Sequence, residues 1–288
     1  MWLRLDSNRA LHQYLSIDLH YNKKVVKACG LSKLPLPSRR TFDRRLKTVS
    51  IDIKKRIATM GCLFVSESLV NPFITAIDST LIKAKGNVWH KSSMEKDTVP
   101  RSGIDTDARW GFSHTKGWVF GYKLHLTSST GSMAVPLSAD VTTANVHDNH
   151  AYPAIASRLP SITTKKTHYM TADPGYDDQN LYDLSMDMGF QLICPVRRYR
   201  NTPQERINLV DFYESALGQV IYSKRGTSIE PLIEHIKSVF RIDPLPVRGH
   251  GKAYAVVLLS VLLYQILVYY NCKVQKDNPR AIRHMIGS

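Results

Sequence analysis

Asp78 interrupts an otherwise apolar run at residues 73–80 (FITAIDST), and an acid in such a run costs free energy unless it is paired or binds a cation. Asp173 stands at the end of a second run, residues 168–172 (HYMTA), where the following Pro-Gly forces a turn. Strand ends of this kind are where open α/β sheets place ligands. If the two runs lie side by side and parallel, both carboxylates project from one edge of the sheet, and two like charges so placed call for a divalent cation. A third acid comes from residues 228–237 (SIEPLIEHIK), where Glu230 and Lys237 are about two helical turns apart and share a face. Glu234 shares that face too, so either glutamate could complete the set. Three hard oxygen ligands from separate elements suit Mg²⁺ or Mn²⁺, and such a centre performs phosphoryl transfer, activating the attacking oxygen and stabilising the leaving one.

The elements that must hold these acids follow from the pattern. Residues 73–80 read as a strand, residues 81–116 as a long polar loop, and residues 118–127 (WVFGYKLHLT) and 133–141 (MAVPLSADV) as two strands of a hairpin joined by Ser-Ser-Thr-Gly. The text then alternates: a helix at 149–158, a strand at 168–172, a helix at 179–188, a strand at 190–195 and helical spacing over 228–240. Pro231 directly after Glu230 predicts that this last helix begins there. Consecutive strands followed by alternation predict an α/β fold with a mixed sheet flanked by helices.

Before residue 72 the chain is basic and helical in its spacing, at Leu11, Tyr14, Leu15 and Leu19 and again at Ile51, Ile53, Ile57 and Met60. Between these, Ser38 is placed to cap a helix that carries Arg39, Arg40, Arg44, Arg45 and Lys47; this is either a phosphate-binding face or a merely solvated one. The domain reading is therefore a basic helical region at 1–71, a catalytic domain at 72–275 and a basic tail at 276–288.

Composition bounds the function. In 288 residues, 39 Lys+Arg against 24 Asp+Glu give a net charge of +15, which points to a polyanionic partner rather than a small neutral metabolite. The four cysteines are scattered singly, which argues against a zinc finger or disulfide framework. No secretory signal is evident at the start, and the expected compartment is the cytoplasm. The uncharged stretch 253–270 (AYAVVLLSVLLYQILVYY) is nearly long enough to span a membrane, but Ser260 and Gln265 interrupt it and Arg248, Lys252, Lys273 and Lys276 flank it. It reads as a buried core helix. His147 and His150 are too few for structural zinc, and Asp140 and Asp148 read as capping or loop residues.

Several motifs together resemble the DDE transposases of bacterial insertion sequences: AIDST at 76–80, GYKLH at 121–125, TTANVHD at 142–148, TADPGY at 171–176, and the Glu-then-Lys helix followed by VRG at 247–249. The resemblance implies a ribonuclease H-like fold, as in retroviral integrases, and a Mg²⁺- or Mn²⁺-dependent enzyme that hydrolyses a phosphodiester at each element end and joins the freed 3′-hydroxyl to target DNA. It implies Asp78, Asp173 and Glu230 as catalytic metal ligands, with terminal inverted repeats and target DNA as partners, a homodimer on synapsis, no membrane, and a nucleoid-associated cytoplasmic location. The family's Tyr-Arg-Glu-Lys signature falls on Tyr222, Arg225, Glu230 and Lys237, with the Arg-to-Glu step one residue longer than the pattern. Through it Tyr222, Arg225 and Lys237 are expected at the DNA, joined by Arg109 and Trp110 of DTDARWG (105–111) and by Arg44 and Arg45. The alternative is a truncated remnant that only binds DNA.

Overall fold

The computed structural model describes residues 8–17, 20–31, 35–98, 103–113, 115–196, 200–274 and 278–285. Leu19 and Lys276, named above, lie outside the described residues. Four helices come first: α1 (Asn8–Ser16), α2 (His20–Ala28), α3 (Arg39–Thr48) and α4 (Ser50–Ser66). Ser38 caps α3 as expected, its Oγ accepting from the Thr41 N–H at 3.4 Å. Strand β1 (Ile74–Lys83) follows, then a short helix α5 (Lys91–Glu95), strands β2 (Arg109–Ser113), β3 (Gly117–Ser129) and β4 (Pro136–Thr143), and helices α6 (Asp148–Ala156) and α7 (Leu159–Ile162). The chain continues through β5 (Tyr169–Thr171), α8 (Gln179–Asp187), β6 (Gln191–Ile193), α9 (Gln204–Glu214), α10 (Ala216–Phe240) and α11 (His250–Val274).

The sheet is mixed, as the pattern predicts. β3 lies antiparallel between β1 on one edge and, on the other, β2 along its first half and β4 along its second. β5 then adds parallel to β1, with Ile74 opposite Tyr169 and Ala76 opposite Thr171, and β6 adds parallel to β5. The parallel neighbours that the two acids required are therefore present. Gly121 sits where β3 passes from β2 to β4, and a Cβ there would lie 2.0 Å from the Ile82 carbonyl oxygen. Gly111 approaches Ala144 as closely, so only glycine lets these strands meet.

Two expectations are corrected. The stretch 81–116 is not a single loop: β1 runs on to Lys83, and α5 and β2 lie within it. β2 has only five residues, too few to show a periodicity, and is fixed by pairing with β3. The helix that carries Glu230 does not begin there. α10 starts at Ala216, where the Ser215 Oγ accepts from the Gly218 N–H at 3.0 Å, and Pro231 lies inside it. A mid-helix proline forfeits one backbone hydrogen bond; burial of Ile221, Ile229, Leu232, Ile233 and Ile236 along α10 offsets that loss.

α4 and α11 pack on each other and on β4, α10 covers β1, β3 and β5, and α6 lies against β3 and β4. Ile53, Ile57, Phe64 and Val65 of α4 enter the same core as the sheet, so that core reaches back across residue 71. α11 is long and apolar enough to cross a membrane by length and composition. Its polar interruptions are nonetheless partnered within the fold: the Gln265 amide donates to the carbonyls of Ile57 and Pro136 at 3.0 and 2.9 Å, and Ser260 to Val256. Such bonds offset the cost of burying the amide's NH₂, though its Oε1 has no partner among the described residues, and they pin α11 to α4 and β4. Of the tail, Arg283–Met285 form a 3₁₀ turn and Ile282 is buried.

Candidate active site

The pairing of β1 with β5 carries Asp78, two residues beyond Ala76, and Asp173, two beyond Thr171, to the same end of the sheet. The Asp78 carboxylate is nearly enclosed, with 13% of the side chain exposed. It accepts from the Ser79 N–H at 2.7 Å and from Arg225 Nη2 at 2.8 Å. Burial pushes its carboxyl up to about 6, against the pull of Arg225 and the Ser79 N–H, and the charges of Asp173 and Glu230 add to the rise. Asp173 caps the turn Pro174–Tyr176, its Oδ1 accepting from the Gly175 N–H at 3.0 Å. It too is raised by burial, opposed by Arg225, with Asp148 adding to the rise.

α10 delivers the third acid. Arg225 forks between two carboxylates, its Nη1 donating to Glu230 Oε1 at 2.6 Å while Nη2 holds Asp78. One guanidinium thus spans the two acids, the bidentate use for which arginine is suited. Glu234 points elsewhere: it accepts from Lys237 at 3.0 Å, and Lys237 also reaches Asp243 at 3.3 Å. Lys237 is buried in that cluster, one side of which is Lys116. Tyr222 is half-buried against Tyr213, ring centroids 5.2 Å apart.

The structure thus brings Asp78, Asp173, Arg225 and Glu230 together and leaves Lys237 in a neighbouring ion cluster. Arg109 is spent on the backbone carbonyls of Thr106 and Ala108, both at 2.8 Å, and the Trp110 indole N–H on that of Trp89. Arg44 and Arg45 are exposed on α3, which lies along α11. His147 caps α6 by accepting from the Asn149 N–H.

Two residues beside the site carry more than the sequence assigned them. Asp148, in the first turn of α6, accepts from Lys123 Nζ at 3.1 Å and lies 3.5 Å from His125 Nδ1. Burial drops His125 to about 4, so the ring is neutral and Lys123 is the cation of the group. The Tyr176 hydroxyl is fully buried, without a hydrogen-bond partner among the described residues, and burial together with Asp148, Asp78 and Asp173 raises it. The period-two alternation of Lys123 and His125 on β3 was the available signal; their shared partner, Asp148, lies more than twenty residues on.

In chemistry the donor set fits a hard divalent cation: two desolvated, mutually repelling aspartates and a glutamate joined to one of them by a movable monovalent cation. In arrangement it is open, because with Arg225 between Asp78 and Glu230 no three such side chains among the described residues close into a cage.

The sequence matches the transposase DDE domain family over residues 72–266. None of the curated protein sequences matches the chain. Among solved structures, the Mos1 mariner paired-end complex with Mn is 11% identical with a TM-score of 0.25, covering 93% of this chain and 79% of that one. The Mos1 transposase paired-end complex with left transposon end is 10% identical with a TM-score of 0.24, covering 91% and 77%. The assignment rests on the sequence match, which spans about two thirds of the 288 residues and contains all three acids: the chain belongs to the transposase DDE domain family.

Proposed function

We propose that this chain is a DNA transposase whose catalytic residues are Asp78, Asp173 and Glu230. The observation that carries the reading is the linkage of Asp78 to Glu230 through Arg225, beside Asp173, at one end of the β1–β5 pair. Asp78, Asp173 and Glu230 would hold Mg²⁺ or Mn²⁺, which supplies charge neutralisation at the scissile phosphate and a more acidic attacking oxygen. The chain's own groups do the rest. Arg225, displaced from its two acids, offers its fork to a phosphate. Tyr222 lies one turn from it and Lys237 further along the same helix, and Lys123, held by Asp148, adds a positive charge to the field at Asp173.

The reaction has two steps. Water attacks the phosphorus at an element end, the P–O3′ bond breaks and a 3′-hydroxyl is freed. That hydroxyl then attacks a phosphate of target DNA, forming one phosphodiester as another breaks, so no external energy source is needed. The exposed arginines of α3, Arg44 and Arg45 among them, suit phosphate contacts that position the terminal repeats, and Arg109 and Trp110 belong to the same DNA-facing assignment. Synapsis of two ends asks for a homodimer, acting on the nucleoid in the cytoplasm. The boundaries 1–71, 72–275 and 276–288 are proposed as its DNA-recognition region, catalytic domain and tail.

The test is strand transfer. Incubated with Mn²⁺, a plasmid target and a duplex bearing the inverted repeat that flanks the gene, the full chain should yield joined products only when the duplex carries a 3′-hydroxyl. Duplex binding without any joined or nicked product would favour the binding-only remnant instead.

A further inference from the structure

The hairpin of β2 and β3 carries a ladder of rings on one face. Trp110 stands opposite Phe120 and Phe112 opposite Trp118, with ring centroids 5.5 and 5.4 Å apart. The inner pair is more enclosed: Phe120 is buried, and Trp110 is half-buried with its indole N–H bonded to the Trp89 carbonyl. The outer pair is far more open: Phe112 and Trp118 remain 54% and 58% exposed. Burying such rings is worth more than almost any other side-chain burial, so two left adjacent at a hairpin tip mark a surface that something else covers.

The surroundings say what. The Lys91 ammonium lies 3.8 Å over the Trp118 ring. Lys116, in the turn between the strands, reaches Asp243 at 3.7 Å, and Asp243 also accepts from the backbone N–H of Lys83. Lys83 is exposed on the same side, as is Lys85, which donates to the Pro246 carbonyl; the acids of this group, Asp243 and Glu234, are already paired with Lys116 and Lys237. Rings bordered by cations fit a base with its phosphates rather than an apolar protein face: each base offers a π-face of any sequence, and the lysines meet the backbone charge.

We infer that Phe112 and Trp118 form a stacking platform for an unpaired nucleotide of a DNA strand that runs away from the carboxylates. This deepens the DNA-joining reading and rests on its DNA-binding part. Trp118 is eight residues along β3 from Leu126, the partner of Asp78, a span of about 26 Å that a stacked strand covers in about eight nucleotides at about 3.4 Å each. The platform is therefore too far from the acids to touch the reacting phosphate. It holds the strand at a distance.

The experiment uses the full chain in EDTA, so that no cleavage occurs, and single-stranded oligonucleotides carrying 2-aminopurine. Wild type should bind and quench the probe. Trp118→Ala should lose the quench and weaken binding about 5- to 150-fold, Phe112→Ala should weaken it less, and Trp118→Phe should keep most of both. Tyr270→Ala, an exposed aromatic on α11, should change neither. Wild type failing to bind, or Trp118→Ala binding and quenching as wild type does, would overturn the platform. So would a Trp118→Ala chain that quenches normally but sediments as a smaller species without DNA, which would make the face a contact between copies. Because no cation is present, the two readings fail separately. Trp118-dependent binding by a chain that never cuts keeps the platform and loses the transposase; cutting that ignores Trp118 does the reverse.

Discussion

Asp78→Asn is expected to abolish DNA cleavage and, at the same time, to make the chain more stable at neutral pH. The loss follows from removing a charged group from the proposed cation site and should reach about a thousandfold or more. The gain follows from burial. The Asp78 carboxyl is pushed from its ordinary 3.8 up to about 6, so the folded chain binds that proton more tightly than the unfolded chain does. The stability this contributes is fully present below about pH 4 and is lost as pH rises through about 6. Above that the wild type carries the cost of an enclosed charge, about 3 kcal/mol for a shift of this size; asparagine carries none. Thermal melts should place Asp78→Asn up to about 6 °C above wild type at pH 7.5, with the difference vanishing near pH 4. A variant no more stable than wild type at pH 7.5 would mean that Asp78 is ionised at no cost.

Arg225→Met should do the opposite. It removes the group that bonds both Asp78 and Glu230 from a place where only 12% of its own side chain is exposed. Breaking one side of an enclosed ion pair costs about 3 kcal/mol or more, so this variant should melt well below wild type at pH 8. Two features separate this from mere loss of packing. The cost should shrink when Asp78→Asn is added, because the charge that needed Arg225 is gone. It should also shrink in millimolar Mn²⁺, which binds the folded acids and not the unfolded chain. Arg225→Lys should recover only part, since a single ammonium cannot reproduce the fork. Equal destabilisation in the Asp78→Asn background would contradict the coupling.

Much of this candidate site is legible in the sequence. Asp78 declares itself by breaking an apolar run, Asp173 by standing before Pro-Gly, and Glu230 by its spacing to Lys237. Parallel pairing of their strands was stated only as a condition, because nothing local dictates that Ile74 meets Tyr169. Local rules misplaced the start of α10. Proline at a first turn is a sound preference, but the cap at Ser215 and a row of buried isoleucines overrode it. That helix start matters, since it is what puts Tyr222 and Arg225 on the same rod as Glu230. The ring expected to stack, Trp110, has its indole N–H bonded to the Trp89 carbonyl, and more exposed rings lie one pleat further out. That bond reaches a residue 21 positions away, and no spacing rule reads it.

Asp148 illustrates the remaining gap. As a residue near a strand end it reads as a cap, and it does lie in the first turn of α6. Its carboxylate is nonetheless turned to Lys123 and His125 on β3 and contributes to the field felt by Asp173. Contacts of this kind form only once α6 is laid against the sheet.

The most direct test of the central claim is a Mn²⁺ titration of the full chain followed by the paramagnetic resonance of the free ion. Asp78, Asp173 and Glu230 are held to form one cation site, with Glu234 outside it. Wild type and Glu234→Gln should take up Mn²⁺ with the same affinity, while Asp78→Asn, Asp173→Asn and Glu230→Gln should each lose most of it. Uptake that survives all three substitutions, or that falls with Glu234→Gln and not with Glu230→Gln, would contradict the site described here.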